Sequence, residues 1–311
     1  MDLALALRAE LGADRVHEEA PLGRFTTLRI GGPADLLAEV RTADEALAAL
    51  RLARRAGVPL TWLGGGSNVL IGDGGIRGLV ARWRSGRVES VAPDRVRADA
   101  GVTVNGLVRY TITHGLDGLA EWAGTPGTVG GAVHGNAHFR GRPISESVAS
   151  VEVATPDGTV RELGADEMAF GYDRSRLQRT GEVALRAAFR VSPGRPDALR
   201  AVARASLAFR KRTQPLAFQS AGCVFRNPDP AAIRLPPGVP CSAGALVDRA
   251  GLKGASCGGA RVSPVHANFV VNEGSATARD VATLVERMRD AVAARFGVLL
   301  EEEIVRLGEF A

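Results

Sequence analysis

The 311 residues are 45 % apolar and 23 % charged, the profile of a soluble globular chain of one large or two ordinary domains rather than a disordered or fibrous one. The formal net charge of +5 rests on 37 Arg and only 2 Lys, scattered among acidic residues with no basic run interleaved with aromatics, which argues against a nucleic-acid partner. No segment approaches the roughly 18 consecutive apolar residues that a membrane-spanning helix needs.

The first stretch, "MDLALALRAELG", is apolar for only a few residues, with Asp2 and Arg8 interrupting. It reads as a short amphipathic helix rather than a signal peptide. "DLLAEV" from Asp35 reads as a strand, and "TADEALAALRLARRAG" as a helix opened by a Thr42–Glu45 capping box and stopped at Gly57. "LTWLG" follows as a second strand, so Asp35 to Gly64 reads as a β-α-β unit. Short strands are expected near 79–83 and 88–100, then a helix from about 106 to 114 with Asn105 as its N-cap. "SVEVATPDGTVREL" has the two alternating runs and the Pro-Asp-Gly turn of a β-hairpin.

"EVALRAAFRVS" reads as a further strand. Pro193, Gly194 and Pro196 punctuate the chain before a helix at about 197–212. "HANFVVN" reads as a buried strand. Thr277–Arg295 reads as a helix with Val281, Leu284, Val285, Met288 and Val292 on one face. "EEEIVRLG" closes the chain as a strand. The class is α+β, with an extension at 1–20, one domain at 21–196 divided near 85, and a smaller one at 197–311. Three cysteines, Cys223, Cys241 and Cys257, lack CxxC spacing, which speaks against a disulfide framework or a structural zinc. A reduced, cytoplasmic protein without a metal is expected.

Two glycine clusters carry chemistry. In "WLGGGSNVLIGDGG", Gly64–Gly66 follow an apolar run and precede Ser67 and Asn68. Backbone without Cβ atoms can approach an anion closely, and its N–H groups can converge on phosphate oxygens. The pattern is neither GxGxxG opening a helix nor a Walker A loop. "GTPGTVGGAVHGNA", Gly124–Ala137, repeats the theme about sixty residues later, stiffened by Pro126. Two such loops suit a long ligand with a central pyrophosphate, such as a dinucleotide, and the basic excess suits the same anion.

Six blocks then occur in order: "FTTLRIGGPAD", "LGGGSNVLIGDGGIRG", "GTPGTVGGAVHGNA", "SAGCVFRNP", "AGLKGASCGGARVSPVHANFVVN" and "EEEIVRLG". Over Pro21 to Gly308 the chain resembles the UDP-N-acetylenolpyruvoylglucosamine reductase (MurB) family, in its compact second subtype. That resemblance implies an FAD-binding domain of the vanillyl-alcohol-oxidase (PCMH) type in two subdomains, followed by a smaller α+β substrate domain. It implies FAD as cofactor, NADPH as co-substrate, and the enolpyruvyl ether of UDP-N-acetylglucosamine as substrate, with no obligate protein partner. The cofactor positions it implies are Gly64, Gly65, Gly66, Ser67, Asn68 and Val69 in one loop, and Thr125, Pro126, Gly130, Gly131 and Asn136 in the other.

Reducing an enolpyruvyl double bond needs a hydride at one carbon, a proton at its neighbour, and stabilisation of the intervening enolate. The family places a Ser or Cys proton donor where this chain has Cys223, and a thiol with an ordinary pKa near 8.5 suits that role. Its second carboxylate matches Glu303, with Glu301 and Glu302 expected as a solvated acidic run. At the third position the chain departs. The family reads Tyr-Arg-x-Ser, whereas "FGYDRSRL" puts Asp173 in the Arg place. Arg174, or Arg176, is then the candidate for enolate stabilisation. "RKRTQP" from Arg210 is either an exposed helix end or an attractant for the pyrophosphate. Another flavoprotein of the same fold, or a catalytically impaired flavin-binding protein, are the rival readings.

Overall fold

The computed structural model describes residues 2–310. The chain forms two compact units, each assembled from separate stretches. The first takes residues up to Ala20, Ala34–Gly65 and Arg77–Phe209, and the second Pro21–Pro33, Gly66–Ile76 and the chain from Arg210 onward. These limits do not coincide with the contiguous ranges 21–196 and 197–311. The segments around Leu28 and Leu70 pack in the same apolar cluster as Val285 and Met288, a pairing that no local pattern announces.

In the first unit one sheet runs in the order Val16–Pro21, Pro33–Val40, Ile76–Trp83, Leu60–Leu63. Leu36, Leu37 and Ala38 of the second strand are buried, while Asp35 and Glu39 take the less buried places. The expected strand-helix-strand order holds, but Ile76–Trp83 lies between the two strands in the sheet, parallel to Leu60–Leu63. The intervening helix, Ala43–Ala56, starts at Thr42, whose Oγ1 accepts the Glu45 N–H at 3.2 Å. The capping box is only half made, because the Glu45 carboxylate accepts from the Arg41 N–H and from the Arg15 guanidinium, both at 2.7 Å. Gly57 ends the helix in the left-handed region at φ 65, as a C-terminal glycine does.

A second sheet is antiparallel, in the order Val160–Gly164, Val148–Ala154, Val183–Arg190, Arg95–Asp99, Val88–Ala92. Its first pair is the expected hairpin. Phe189, Val151 and Val96 are fully buried in it, in one cluster with Val129, Val133 and Ile144. The helix Val104–Thr113 is capped by Thr103 and not by Asn105. The Thr103 hydroxyl already sits on extended backbone and accepts from Gly106 N–H at 3.0 Å. Asn105 instead clamps the next loop, accepting from Gly124 N–H and donating to Thr125 O.

The second unit has an antiparallel sheet in the order Gln219–Cys223, Phe269–Asn272, Ala260–Val262, Ser256–Cys257. Against it lies the helix Ala278–Phe296, with Val281, Leu284, Val285, Met288 and Val292 all buried as the periodicity required. Thr277 and Asp280 close a complete capping box at its start. The closing strand is shorter than expected. Only Val305–Leu307 is strand, paired in parallel with Val69–Ile71, so Glu301–Ile304 run ahead of it. Among the described residues, no helix is long and apolar enough to cross a membrane.

Candidate functional site

The glycine turn after Leu60–Leu63 is shaped first by the chain's own backbone. A Cβ on Gly64 would collide with Thr128 Oγ1, and one on Gly65 would lie 2.6 Å from Gly127 Cα. In the second unit Gly66 adopts φ 60, and a Cβ there would collide with Phe25 O. Thr27 N–H donates to Gly66 O at 3.0 Å. The N–H groups of Gly65, Gly66, Ser67 and Asn68 donate to no backbone or side-chain acceptor among the described residues. A run of exposed-backbone donors without protein partners is the feature a phosphate-binding turn requires.

The other stretch is different in kind. Val129–His134 is a helix, with Thr128 as its N-cap. The N–H groups of Val129, Gly130 and Gly131 are taken by Val102 O, Ala100 O and Thr128 Oγ1, and Thr125 N–H donates to Trp122 O. Pro126 has no N–H, which leaves Gly127 and Thr128 as the donors of this turn. Gly130 is small because the Ala100 Cβ would stand 2.9 Å from a Cβ there. Asn136, 3 % exposed, spends both ends of its amide on the protein, donating to Gly171 O at 2.8 Å and accepting from Ser145 N–H at 3.2 Å.

Cys223 ends the strand Gln219–Cys223 and is half-buried. The ladder shifts register between Ser220 and Cys223, where Gly222 adopts φ 84. The next residue ties Cys223 to the other sequence candidate, because Val224 O accepts the Glu303 N–H at 2.8 Å. Arg226 N–H donates to Glu301 O at 2.9 Å, one step further along. Asn68 holds the same segment from the other side. Its Nδ2 donates to Glu303 O at 3.0 Å, and its carbonyl accepts Val305 N–H at 3.0 Å.

Glu301 is exposed, as expected of a solvated carboxylate, but Glu302 is not. The Glu302 side chain is 18 % exposed and takes two hydrogen bonds from Arg306, at 2.9 and 2.8 Å, with Arg289 at 3.5 Å. Alternation could not foresee this, since the residue precedes the strand. Asn268, in the "HANF" stretch, was missed as well, although the stretch itself signalled it. It is 3 % exposed, accepts from Phe225 N–H at 3.0 Å and donates to Phe225 O at 2.7 Å. Its neighbour His266 accepts the Asn268 N–H on Nδ1, and burial holds that imidazole below its ordinary pKa.

In the first unit the stretch from Gly171 to Arg174 is a tight turn closed by reciprocal main-chain hydrogen bonds, at 3.1 and 3.2 Å. Asp173 adopts φ 51, is 6 % exposed, and meets His138 Nδ1 at 2.9 Å. Strand alternation therefore does not govern this stretch, and Arg174 is exposed. Arg176 is engaged by Glu182 through two hydrogen bonds, at 2.7 and 3.1 Å. At the "RKRTQP" helix end Arg210 is 5 % exposed, and burial lowers its pKa to about 10.

Two glycine turns that meet at Gly65 and Gly127 within the first unit are the arrangement expected of a dinucleotide-binding class. Within that class the match is to flavoproteins, because residues 34–164 fit the model of an FAD binding domain. Residues 214–307 fit the C-terminal domain of UDP-N-acetylenolpyruvoylglucosamine reductase. The reductase of that name from Moorella thermoacetica is 42 % identical, over 99 % of this chain and 99 % of its own. The one from Myxococcus xanthus is 42 % identical, over 99 % and 97 %. The crystal structure of UDP-N-acetylenolpyruvylglucosamine reductase (MurB) from Thermus caldophilus superposes with a TM-score of 0.77 at 34 % identity, covering 94 % of this chain and 99 % of that one. The chain belongs to the UDP-N-acetylenolpyruvoylglucosamine reductase family.

Proposed function

We propose that this protein reduces the enolpyruvyl ether of UDP-N-acetylglucosamine to UDP-N-acetylmuramate in the cytoplasm, with FAD as cofactor and NADPH as co-substrate. The step belongs to peptidoglycan precursor synthesis, on which wall growth, cell shape and division depend. The observation that carries the reading is the Glu303 N–H to Val224 O hydrogen bond, which sets a carboxyl-bearing residue against the segment that carries the Cys223 thiol.

FAD, when bound, supplies the hydride chemistry that no side chain can provide. The unclaimed donors at Gly66, Ser67 and Asn68 are the groups that would hold its pyrophosphate, and in the first unit the turn at Gly127 and Thr128 offers donors of the same kind. Gly64, Val69, Thr125, Pro126, Gly130, Gly131 and Asn136 are the further positions proposed to line the cofactor. Cys223 holds the proton that its Sγ delivers to the substrate carbanion, and Glu303 assists that protonation. Arg174 is the candidate for the enolate charge, because Arg176 is engaged by Glu182. No nucleic acid, membrane or protein partner enters the reaction.

The test is spectroscopic. The purified protein is expected to be yellow, to bleach with NADPH, and to recover colour on adding the enolpyruvyl substrate. Cys223→Ala should still bleach but recover roughly 10²- to 10⁴-fold more slowly. A colourless protein that takes up no FAD, or a Cys223→Ala variant that recovers at the wild-type rate, overturns the reading. A second reading, an impaired flavin-binding protein, draws on the buried Asp173 in the place of the family's Arg. Wild-type protein that bleaches and never recovers would select it.

A further inference from the structure

We infer that Asn268 is a positioning residue for the proton-donating pair, acting on Cys223 and Glu303 through Val224 and Phe225; the inference rests on the roles proposed above for those two side chains. The ladder between Gln219–Cys223 and Phe269–Asn272 reaches its end at the pair Cys223–Phe269, after a register shift. Beyond that point the main chain of Phe225 pairs with a side chain. The Asn268 amide presents one acceptor and one donor, the groups a neighbouring strand residue would present, and meets Phe225 N–H at 3.0 Å and Phe225 O at 2.7 Å.

The residue between is held from both faces. Val224 N–H donates to Asn268 O at 2.7 Å, while Val224 O accepts Glu303 N–H at 2.8 Å. The Val224–Phe225 peptide thus joins the two segments, its carbonyl accepting from Glu303 and its N–H donating to the Asn268 side chain, while Asn268 also holds Val224 N–H and Phe225 O on either side of it. Few side chains can replace Asn268. Aspartate keeps the acceptor but loses the donor, and alanine or leucine offers neither. Asn268 is 3 % exposed, so water cannot take over the two bonds without entering a packed interior. Displacing a reacting group by about 1 Å can cost on the order of a hundredfold in rate.

The experiment separates the two half-reactions in the FAD-loaded enzyme. Asn268→Ala is expected to bleach with NADPH within about twofold of wild type, yet recover with the enolpyruvyl substrate about tenfold to a hundredfold more slowly. The loss should fall on kcat, with KM for the substrate little changed. A second readout is the rate of alkylation by iodoacetamide, followed by mass spectrometry. In Asn268→Ala the Cys223 rate should change several-fold relative to Cys241 and Cys257, whereas general loosening would move all three together.

In the Cys223→Ala background, Asn268→Ala should add little further loss, as expected of residues that act as a unit. If Asn268→Ala does not fold, Asn268→Asp, which keeps the shape and the acceptor, is read by the same criteria. Recovery at the wild-type rate in the folded variant, parallel slowing of both half-reactions, or uniform alkylation of all three cysteines overturns the positioning role. A wild-type enzyme that never recovers, or a fully active Cys223→Ala, overturns the functional reading instead.

Discussion

Arg176 and Glu182 meet through two hydrogen bonds, at 2.7 and 3.1 Å, and the guanidinium holds the Glu182 carboxyl below the usual glutamate range. A carboxyl whose folded pKa is depressed stabilises the fold above its unfolded value and loses that contribution as pH falls through the lowered one. Glu182→Gln is therefore expected to flatten the acid limb of stability below about pH 4.5. Urea midpoints measured from neutral pH downward check it, and equal slopes in variant and wild type would sink the assignment. The same pairing occupies Arg176 and so supports the proposed choice of Arg174 for the enolate role. Asp173 is the companion case. Its place in the motif was legible, but its left-handed backbone and its bond to His138 belong to a tight turn, which strand alternation cannot foresee.

The helix Ala278–Phe296 shows how an element acquires support from outside its own sequence. Its Thr277–Asp280 box was readable as a pattern, but Asp73, some two hundred residues earlier, also accepts from the Ala278 and Arg279 N–H groups at 2.8 and 3.0 Å. A carboxylate on the first turn satisfies orphan donors and complements the helix dipole. Asp73→Ala should therefore cost about 1–2 kcal/mol in chemical denaturation, and an unchanged midpoint would argue that the box alone suffices. The glycine turns divide similarly. Gly66→Ala meets both a positive φ and Phe25 O, so loss of flavin uptake together with about 1–3 kcal/mol is expected. A Cβ at Gly131, in the helix Val129–His134, meets only Thr128 Oγ1 at 3.6 Å. Gly131→Ala should fold and keep its flavin, and a colourless but folded Gly131→Ala would show that the added methyl meets the cofactor itself.

At the scale of the whole molecule, a cofactor that binds only the folded chain must stabilise it. FAD at about one hundred times its dissociation constant should add about 2.7 kcal/mol. Melting curves with and without FAD measure this, and coincident curves would contradict the cofactor assignment. Much of the architecture was legible in advance. The apolar face of Val281 to Val292, the hairpin about Pro156–Gly158 and the Gly57 stop each depend on a few neighbouring residues, and each stands as read. The six ordered blocks likewise carried the family. The Thr103 cap and the Glu302–Arg306 pair are local contacts fixed by backbone conformation that the residue pattern does not reveal, whereas the clamp at Asn268 was not legible because its partner Phe225 is distant in the chain. The same holds for Leu28 and Leu70 in the second unit's core, and for the Asn272 bond to Leu28 O at 3.0 Å. Periodicity and turn chemistry by themselves determined which faces are apolar, which segments are helical, and which side chains can carry protons. Which distant backbone covers each face, and so which carbonyl meets Glu303 and which amide holds Phe225, was decided only by tertiary packing, because buried polar groups must find partners wherever the folded chain brings them.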